Sequence, residues 1–263
     1  MELKEKKYSK RLCIVTGIHG NEAFLFEPLK KYLEGMETGQ VEVVLMLANT
    51  EAAEKKVRYL EHDLNRSFGA QLNHTPETRI AAEITNKCSD ADLVFDLHSH
   101  SGKETFSLVN EENGTRLKTL IDLLSADPCI VISPEVTGGT SLIENVANSL
   151  SIETGEHDSG KAIAFAKECI KKAISFLNQD SANTTLTARF LRAKRFLKNM
   201  SETEIIISSE INNFVKIAKG TEIYPGFSAE EDCIPALVSY TVKPGKKIFL
   251  ICDEIIKGGV GNE

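Results

Sequence analysis

The sequence predicts an α/β sheet flanked by helices, followed by a smaller β-rich C-terminal region. Three observations predict it. Short runs rich in Val, Ile and Leu alternate with longer helical segments as far as about residue 180. Those runs lack polar alternation, as strands covered on both faces do. After the polar stretch 178–185, strand-like runs separated by turns replace the helical spacing. Strand–helix alternation of this kind requires a sheet with helices on both faces.

The elements follow in order. The first strand is expected over residues 12–18, with helical spacing over 22–33 and a second strand over 41–48. Thr75 before Pro76 supplies an N-cap, with proline at the first helical position of a helix over 76–87. A strand over 92–97, a helix over 116–124, a strand over 129–133, a helix over 141–149 and a strand over 150–153 come next. In the helix over 160–177, Ile163, Ala166, Ile170, Ala173, Ile174 and Leu177 recur every three or four residues and make one apolar stripe. Beyond it, 203–208, 214–217, 234–242 and 247–252 read as strands, with turns such as Lys219-Gly220-Thr221 and Lys243-Pro244-Gly245. The change of texture divides the chain into a larger α/β domain over 1–183 and a small β-rich domain over 184–263.

Composition narrows the functional class. The 263 residues are 41% hydrophobic and 26% charged, enough apolar material for a sizeable core. The net charge of -7 disfavours nucleic-acid and anionic-membrane partners, both of which select basic faces. The charged stretch 1–7 has no apolar region of the secretory type, and no apolar run approaches the roughly 20 residues of a membrane span. Cys13, Cys88, Cys129, Cys169, Cys233 and Cys252 are widely separated and form no Cys-x-x-Cys. They read as small core residues in a reducing cytoplasm, so a cytoplasmic location is expected. The oligomeric state is left open, and a homo-oligomer is compatible with the sequence.

Ligands in an open α/β sheet gather outside the carboxyl ends of its strands. Four polar strand ends occur here: His19 and Glu22 after the first strand, 49–52 after the second, His98 after Leu97, and Glu153 after Ile152. In Gly17-Ile18-His19-Gly20-Asn21-Glu22 the glycines permit a tight turn, which brings an imidazole and a carboxylate onto one divalent ion. With His98 as a distant third ligand and one position left for water, the arrangement is that of a catalytic zinc. His100 shares a strand face with His98 and is the competing ligand, while Asp96 could orient His98 from behind. Arg58 and the cluster His62-Asp63-Leu64-Asn65-Arg66 place guanidinium groups where they could grip a substrate carboxylate or stabilise an oxyanion. Glu153, before a glycine turn, could act as general base, whereas Glu156 and His157 read as exposed bystanders.

These motifs, with Arg58-Tyr59 through Asp63-Leu64-Asn65-Arg66, Asp96-Leu97-His98 and Ile152-Glu153-Thr154-Gly155, resemble in order those of the succinylglutamate desuccinylase/aspartoacylase family. The resemblance covers about the first 160 residues and is mainly architectural beyond residue 184. It implies a zinc-carboxypeptidase-like mixed sheet flanked by helices and a smaller C-terminal β domain. It also implies one Zn2+ per chain on His19, Glu22 and His98. Arg58 would polarise the scissile carbonyl, Asn65 and Arg66 would grip the substrate carboxylate, and Glu153 would be general base and acid toward a metal-activated water. The implied activity is hydrolysis of the amide of a small N-acyl amino acid.

Two positions depart from the family pattern. Ile143 falls where an arginine would hold a second carboxylate, and Ile234-Pro235 falls near an expected tyrosine. A mono-carboxylate N-acyl amino acid, or another amide, therefore fits at least as well as N-acetylaspartate. The alternatives are a carboxypeptidase-type peptidase, a metal hydrolase using Asp96-x-His98-x-His100, and a non-catalytic binding protein on the same fold.

Overall fold

The structure is a computed structural model that describes residues 8–69, 74–178, 187–237 and 241–255. The expected domain boundary at 183/184, the charged stretch 1–7 and the middle of the expected strand over 234–242 lie outside the described residues.

The N-terminal region supplies β1 (Lys10–Thr16), β2 (Val41–Leu47), β3 (Leu93–His100), β4 (Phe106–Asn110), β5 (Cys129–Ile132) and β6 (Ser149–Glu156). The C-terminal region supplies β7 (Phe190–Lys198), β8 (Ile205–Ile206), β9 (Glu222–Tyr224), β10 (Phe227–Ser228), β11 (Ile234–Leu237), β12 (Thr241–Val242) and β13 (Lys247–Glu254). Nine of these form one mixed sheet in the order β11-β13-β7-β5-β4-β6-β3-β1-β2. Strands β2, β1, β3 and β6 run parallel, so the carboxyl ends of β1, β3 and β6 open on one edge. Strand β4 is antiparallel to β6 and places Phe106 opposite Glu153.

The helix Gly160–Leu177 buries Ala166, Ile170, Ala173, Ile174 and Leu177 on one sheet face, with Ile163 partly buried beside them, as its stripe requires. Helices Phe26–Glu34 and Lys118–Leu124 share that face. The helix Pro76–Lys87, capped by Thr75 Oγ1 accepting from Thr78 N, covers the other. Strand β13 serves two cores by its period of two: Leu250 and Cys252 join the sheet face below the site, and Phe249 and Ile251 join a C-terminal cluster with Ile205, Ile217 and Ile223. All six cysteines are buried and unpaired, as their spacing indicates.

Some elements differ from expectation. Residues 141–149 form only a short helix, Leu142–Asn145, closed by a capping box between Ser141 and Glu144. Asn148 then turns at φ +53 into β6. Of 214–217, only Ile217 makes a bridge, to Cys233. Strand β4, a central strand, is too short to stand out from the polar loop before it. Strand β7 was obscured by its charges: Arg192, Lys194 and Arg195 point outward while Leu191 and Ala193 are buried.

Candidate active site

The turn after β1 shows why its glycines are required. Gly17 has φ +64, a conformation other residues rarely adopt. A Cβ on Gly20 would lie 2.3 Å from the Ala52 carbonyl carbon and 2.5 Å from Ala53 N. Gly20 N also donates to Arg58 O at 3.0 Å. The close approach of two backbones thus seats Arg58 beside the 3₁₀ turn Gly20–Leu25, which has His19 at its N-cap and Glu22 in its first turn.

His19, Glu22 and His98 are 4%, 3% and 3% exposed, and one ligand atom from each lies within 4.8 Å of the others. Glu22 is the hub: Oε1 is 2.8 Å from His19 Nδ1 and Oε2 is 2.9 Å from His98 Nδ1. Ser99 N also donates to Oε2 at 3.1 Å. Carboxylates hold both imidazoles from the far side, with His19 Nε2 at 3.2 Å from Asp63 Oδ1 and His98 Nε2 at 2.9 Å from Asp96 Oδ2. A metal-binding histidine characteristically gives its second nitrogen to such a partner. The role of Asp63 was hidden in the sequence within a charged loop.

The electrostatics agree. Burial pushes the Glu22 carboxyl up, but His98 and His19 outweigh it and hold it well below the usual carboxylate range. Burial likewise opposes ionisation of Asp63, and His19, Arg58 and Arg66 overcome it. Burial disfavours the His98 cation, yet Asp96 and Glu22 raise its pKa well above the ordinary value. Three ionisable groups compressed into one dry corner, with His, Glu and His as donors, suit zinc among common divalent ions.

His100 is not part of this cluster. Its Nε2 donates to Glu104 O at 2.8 Å and its Nδ1 accepts from Gly102 N at 3.0 Å. The register between β3 and β6 slips between His98 and His100, where Gly155 has φ +98. The alternative Asp96-x-His98-x-His100 ligand set therefore does not assemble.

Glu153 is level with His98 on the neighbouring strand, and both line the same cleft. Its Oε2 is buried with no hydrogen-bond partner among the described residues. Burial raises its pKa, partly offset by His98. Such an atom, unpaired in the cleft that His98 and Arg58 also line, is available to a water or a substrate proton.

The cleft comprises two adjoining cavities of about 310 and about 180 Å3, both lined by His19, Arg58, His98 and Glu153. Arg58 approaches Asp63 Oδ2 at 3.3 Å and Glu22 Oε1 at 3.8 Å, half exposed toward the cleft. Asn65 and Arg66 line the smaller cavity, together with Ile143, Thr137 and Ser141. Asn65 Oδ1 accepts from Leu142 N at 3.1 Å, which fixes the side chain. No partner for its amide N–H groups is found among the described residues. Ile143 stands in the wall of the smaller cavity, and Ile234 and Pro235 line neither cavity.

Two expectations change here. The polar end of β2 is structural: Asn49 Oδ1 accepts from Ala52 N and caps the helix Thr50–Glu54. His157 is no bystander: it lines the larger cavity, and its Nδ1 is 2.8 Å from Ser99 Oγ. It is carried there because β6 continues past Glu153 to Glu156, which the sequence does not signal.

Comparison with known proteins bears on this arrangement. The family model of the succinylglutamate desuccinylase/aspartoacylase catalytic domain matches residues 8–165. A succinylglutamate desuccinylase of Yersinia pestis is 24% identical over 244 residues, covering 82% of this chain and 74% of that protein. The crystal structure of murine aminoacylase 3 superposes with a TM-score of 0.75 at 16% identity, covering 95% of this chain and 97% of the other. That of the succinylglutamate desuccinylase from Chromobacterium violaceum gives 0.73 at 19% identity, covering 95% and 86%.

Proposed function

This chain belongs to the succinylglutamate desuccinylase/aspartoacylase family, and on that premise we propose that it is a zinc-dependent deacylase hydrolysing the amide of a small N-acyl amino acid. One observation carries the proposal: the buried, unpaired Oε2 of Glu153 shares a cleft with the His19–Glu22–His98 cluster and with Arg58. His19, Glu22 and His98 would hold one Zn2+ per chain. Such an ion supplies Lewis acidity, lowering the pKa of water and polarising a carbonyl.

The chain's own residues account for the rest. Asn65 and Arg66 bind the substrate carboxylate, which fixes the scissile amide over Glu153. Arg58 points its guanidinium at the acyl oxygen and stabilises the charge that develops there. Glu153 takes a proton from the attacking water, whose oxygen bonds to the acyl carbon. It returns that proton to the leaving nitrogen as the C–N bond breaks, giving a free carboxylate and an amino acid. Ile143 in the wall leaves the smaller cavity without a second cationic clamp, so an amino acid with one carboxylate is the favoured leaving group.

The test is turnover of a panel of N-acyl amino acids by zinc-loaded protein. Cleavage that falls about 10²–10⁴-fold in Glu153→Gln, with zinc still bound, supports the proposal. Unchanged turnover in that variant removes Glu153 from the mechanism, and cleavage of none of the panel favours a non-catalytic binding protein.

A further inference from the structure

Two apolar rows cross the sheet beneath the larger cavity. Ala236 on β11 is in register with Leu250 on β13, and Leu250 with Phe196 on β7. On the other side, Leu108 on β4 is in register with Ile130 on β5, and Phe106, two residues along, with Glu153. Residues in register lie side by side on one face, so Ala236, Leu250 and Phe196 make one row, and Leu108 and Ile130, with Phe106 on the same face, make a second. Between β5 and β7 the register pairs Ile130 with Leu191, and the two rows meet as members of one apolar cluster. All six side chains of the two rows line the larger cavity. Ala236 at the far end is small, which gives the wall its depth.

Charge is missing from the same region. Among the described residues no lysine lines this cavity, and its one arginine is Arg58, already beside Asp63 and Glu22. Both nitrogens of His100 are engaged by its own loop, and His157 Nδ1 by Ser99. Lys247 Nζ stands 3.5 Å from the centre of the Phe196 ring, held on that aromatic face without lining the cavity. A carboxylate placed over Phe106, Leu108 and Ile130 would lose its water with Arg58 as the one arginine, and no lysine, among the described lining residues. The cavity's volume of about 310 Å3 also far exceeds what an acetyl group fills.

Asn65 and Arg66 belong to the smaller cavity, so a substrate anchored there by its carboxylate extends its acyl group into the larger one. We infer that the acyl group is uncharged, apolar and larger than acetyl, seated on Phe106, Leu108, Ile130, Phe196, Ala236 and Leu250. The inference rests on the deacylase assignment above, and names its substrate class. It sets this chain apart from an enzyme that takes a succinyl group.

The experiment compares kcat/KM for N-acetyl, N-butanoyl, N-hexanoyl and N-succinyl derivatives of leucine and of glutamate, using zinc-loaded protein. Hexanoyl should exceed acetyl by about tenfold or more, a modest return for several methylenes in an apolar pocket. Butanoyl, which matches succinyl in length without its charge, should exceed succinyl. Ala236→Leu, which fills the end of the wall, should lower the hexanoyl-to-acetyl ratio, and Leu250→Arg should raise the succinyl-to-butanoyl ratio. Cleavage with acetyl or succinyl preferred overturns the subsite and leaves the deacylase assignment standing. Calorimetric binding to Glu153→Gln separates the two further. Preferential binding of the hexanoyl compound without any turnover keeps the subsite and removes the hydrolase, and neither binding nor turnover overturns both.

Discussion

Oε2 of Glu22 lies 2.9 Å from Nδ1 of His98, although the two residues are 76 apart in sequence. With His19 Nδ1 on the other oxygen at 2.8 Å, the Glu22 carboxylate already bridges the two imidazoles proposed to hold an ion. Metal loading must displace protons from this cluster, so its affinity and the protein's stability are tied to pH.

In metal-free protein His98 and Glu22 respond to pH in opposite senses. The pKa of His98 is raised, so its contribution is fully present below about 6.5, the ordinary histidine value, and is lost as pH rises through the higher folded value. The pKa of Glu22 is lowered, so its contribution is present above about 4.3 and is lost as pH falls through the folded value. Metal-free protein should therefore lose thermal stability as pH rises above about 6.5, whereas zinc binding should tighten over the same range. Thermal unfolding with and without zinc across that range checks it. A metal-free Tm that rises with pH there contradicts it.

Asp63 and Asp96 should tune the metal without touching it. Asp63→Asn and Asp96→Asn each leave the three ligands intact and remove a charge from the far nitrogen of one histidine. Zinc affinity should fall about 10–100-fold in each. A chelator competition titration measures it, and wild-type affinity in both variants would show that the carboxylates only fill space.

Glu153 should be a residue whose removal costs activity and spares stability. Burial raises its pKa, so the neutral form is favoured in the folded state, and stability drains away as pH rises through that raised value. Metal-free Glu153→Gln should be at least as stable as the wild type at neutral pH, with a flatter dependence on pH. A large drop in its unfolding midpoint would assign Glu153 to the fold instead.

Gly20→Ala tests the turn. The new Cβ would meet backbone atoms of Ala52, Ala53 and Val57, which cannot rotate aside. A loss of roughly 1–3 kcal/mol in denaturant unfolding is expected for such overpacking, with weaker turnover because Gly20 N holds Arg58 O.

Much of this was legible in the chain. The stripe from Ala166 to Leu177, the Thr75-Pro76 cap and the polar ends of β1, β3 and β6 are local patterns, and the structure follows them. Residues 17–22 carried the site because tight turns need glycine for reasons of backbone geometry that composition displays. What stayed hidden depends on pairing across the sheet. Phe106, Phe196 and Ala236 look unremarkable along the chain and acquire a role only when the folded sheet brings them to one cavity. Asp63 gains its histidine partner 44 residues away, and His157 its place in the cleft from a strand that outruns its apolar segment.

The central claim is a metal-dependent site on His19, Glu22 and His98. Metal content of the purified protein by mass spectrometry, beside His98→Ala, tests it most directly. The account predicts about one zinc per chain, as a three-ligand catalytic site binds, and its loss in the variant. A wild-type protein that stays metal-free after zinc is supplied, or a His98→Ala variant that keeps its zinc, would contradict it.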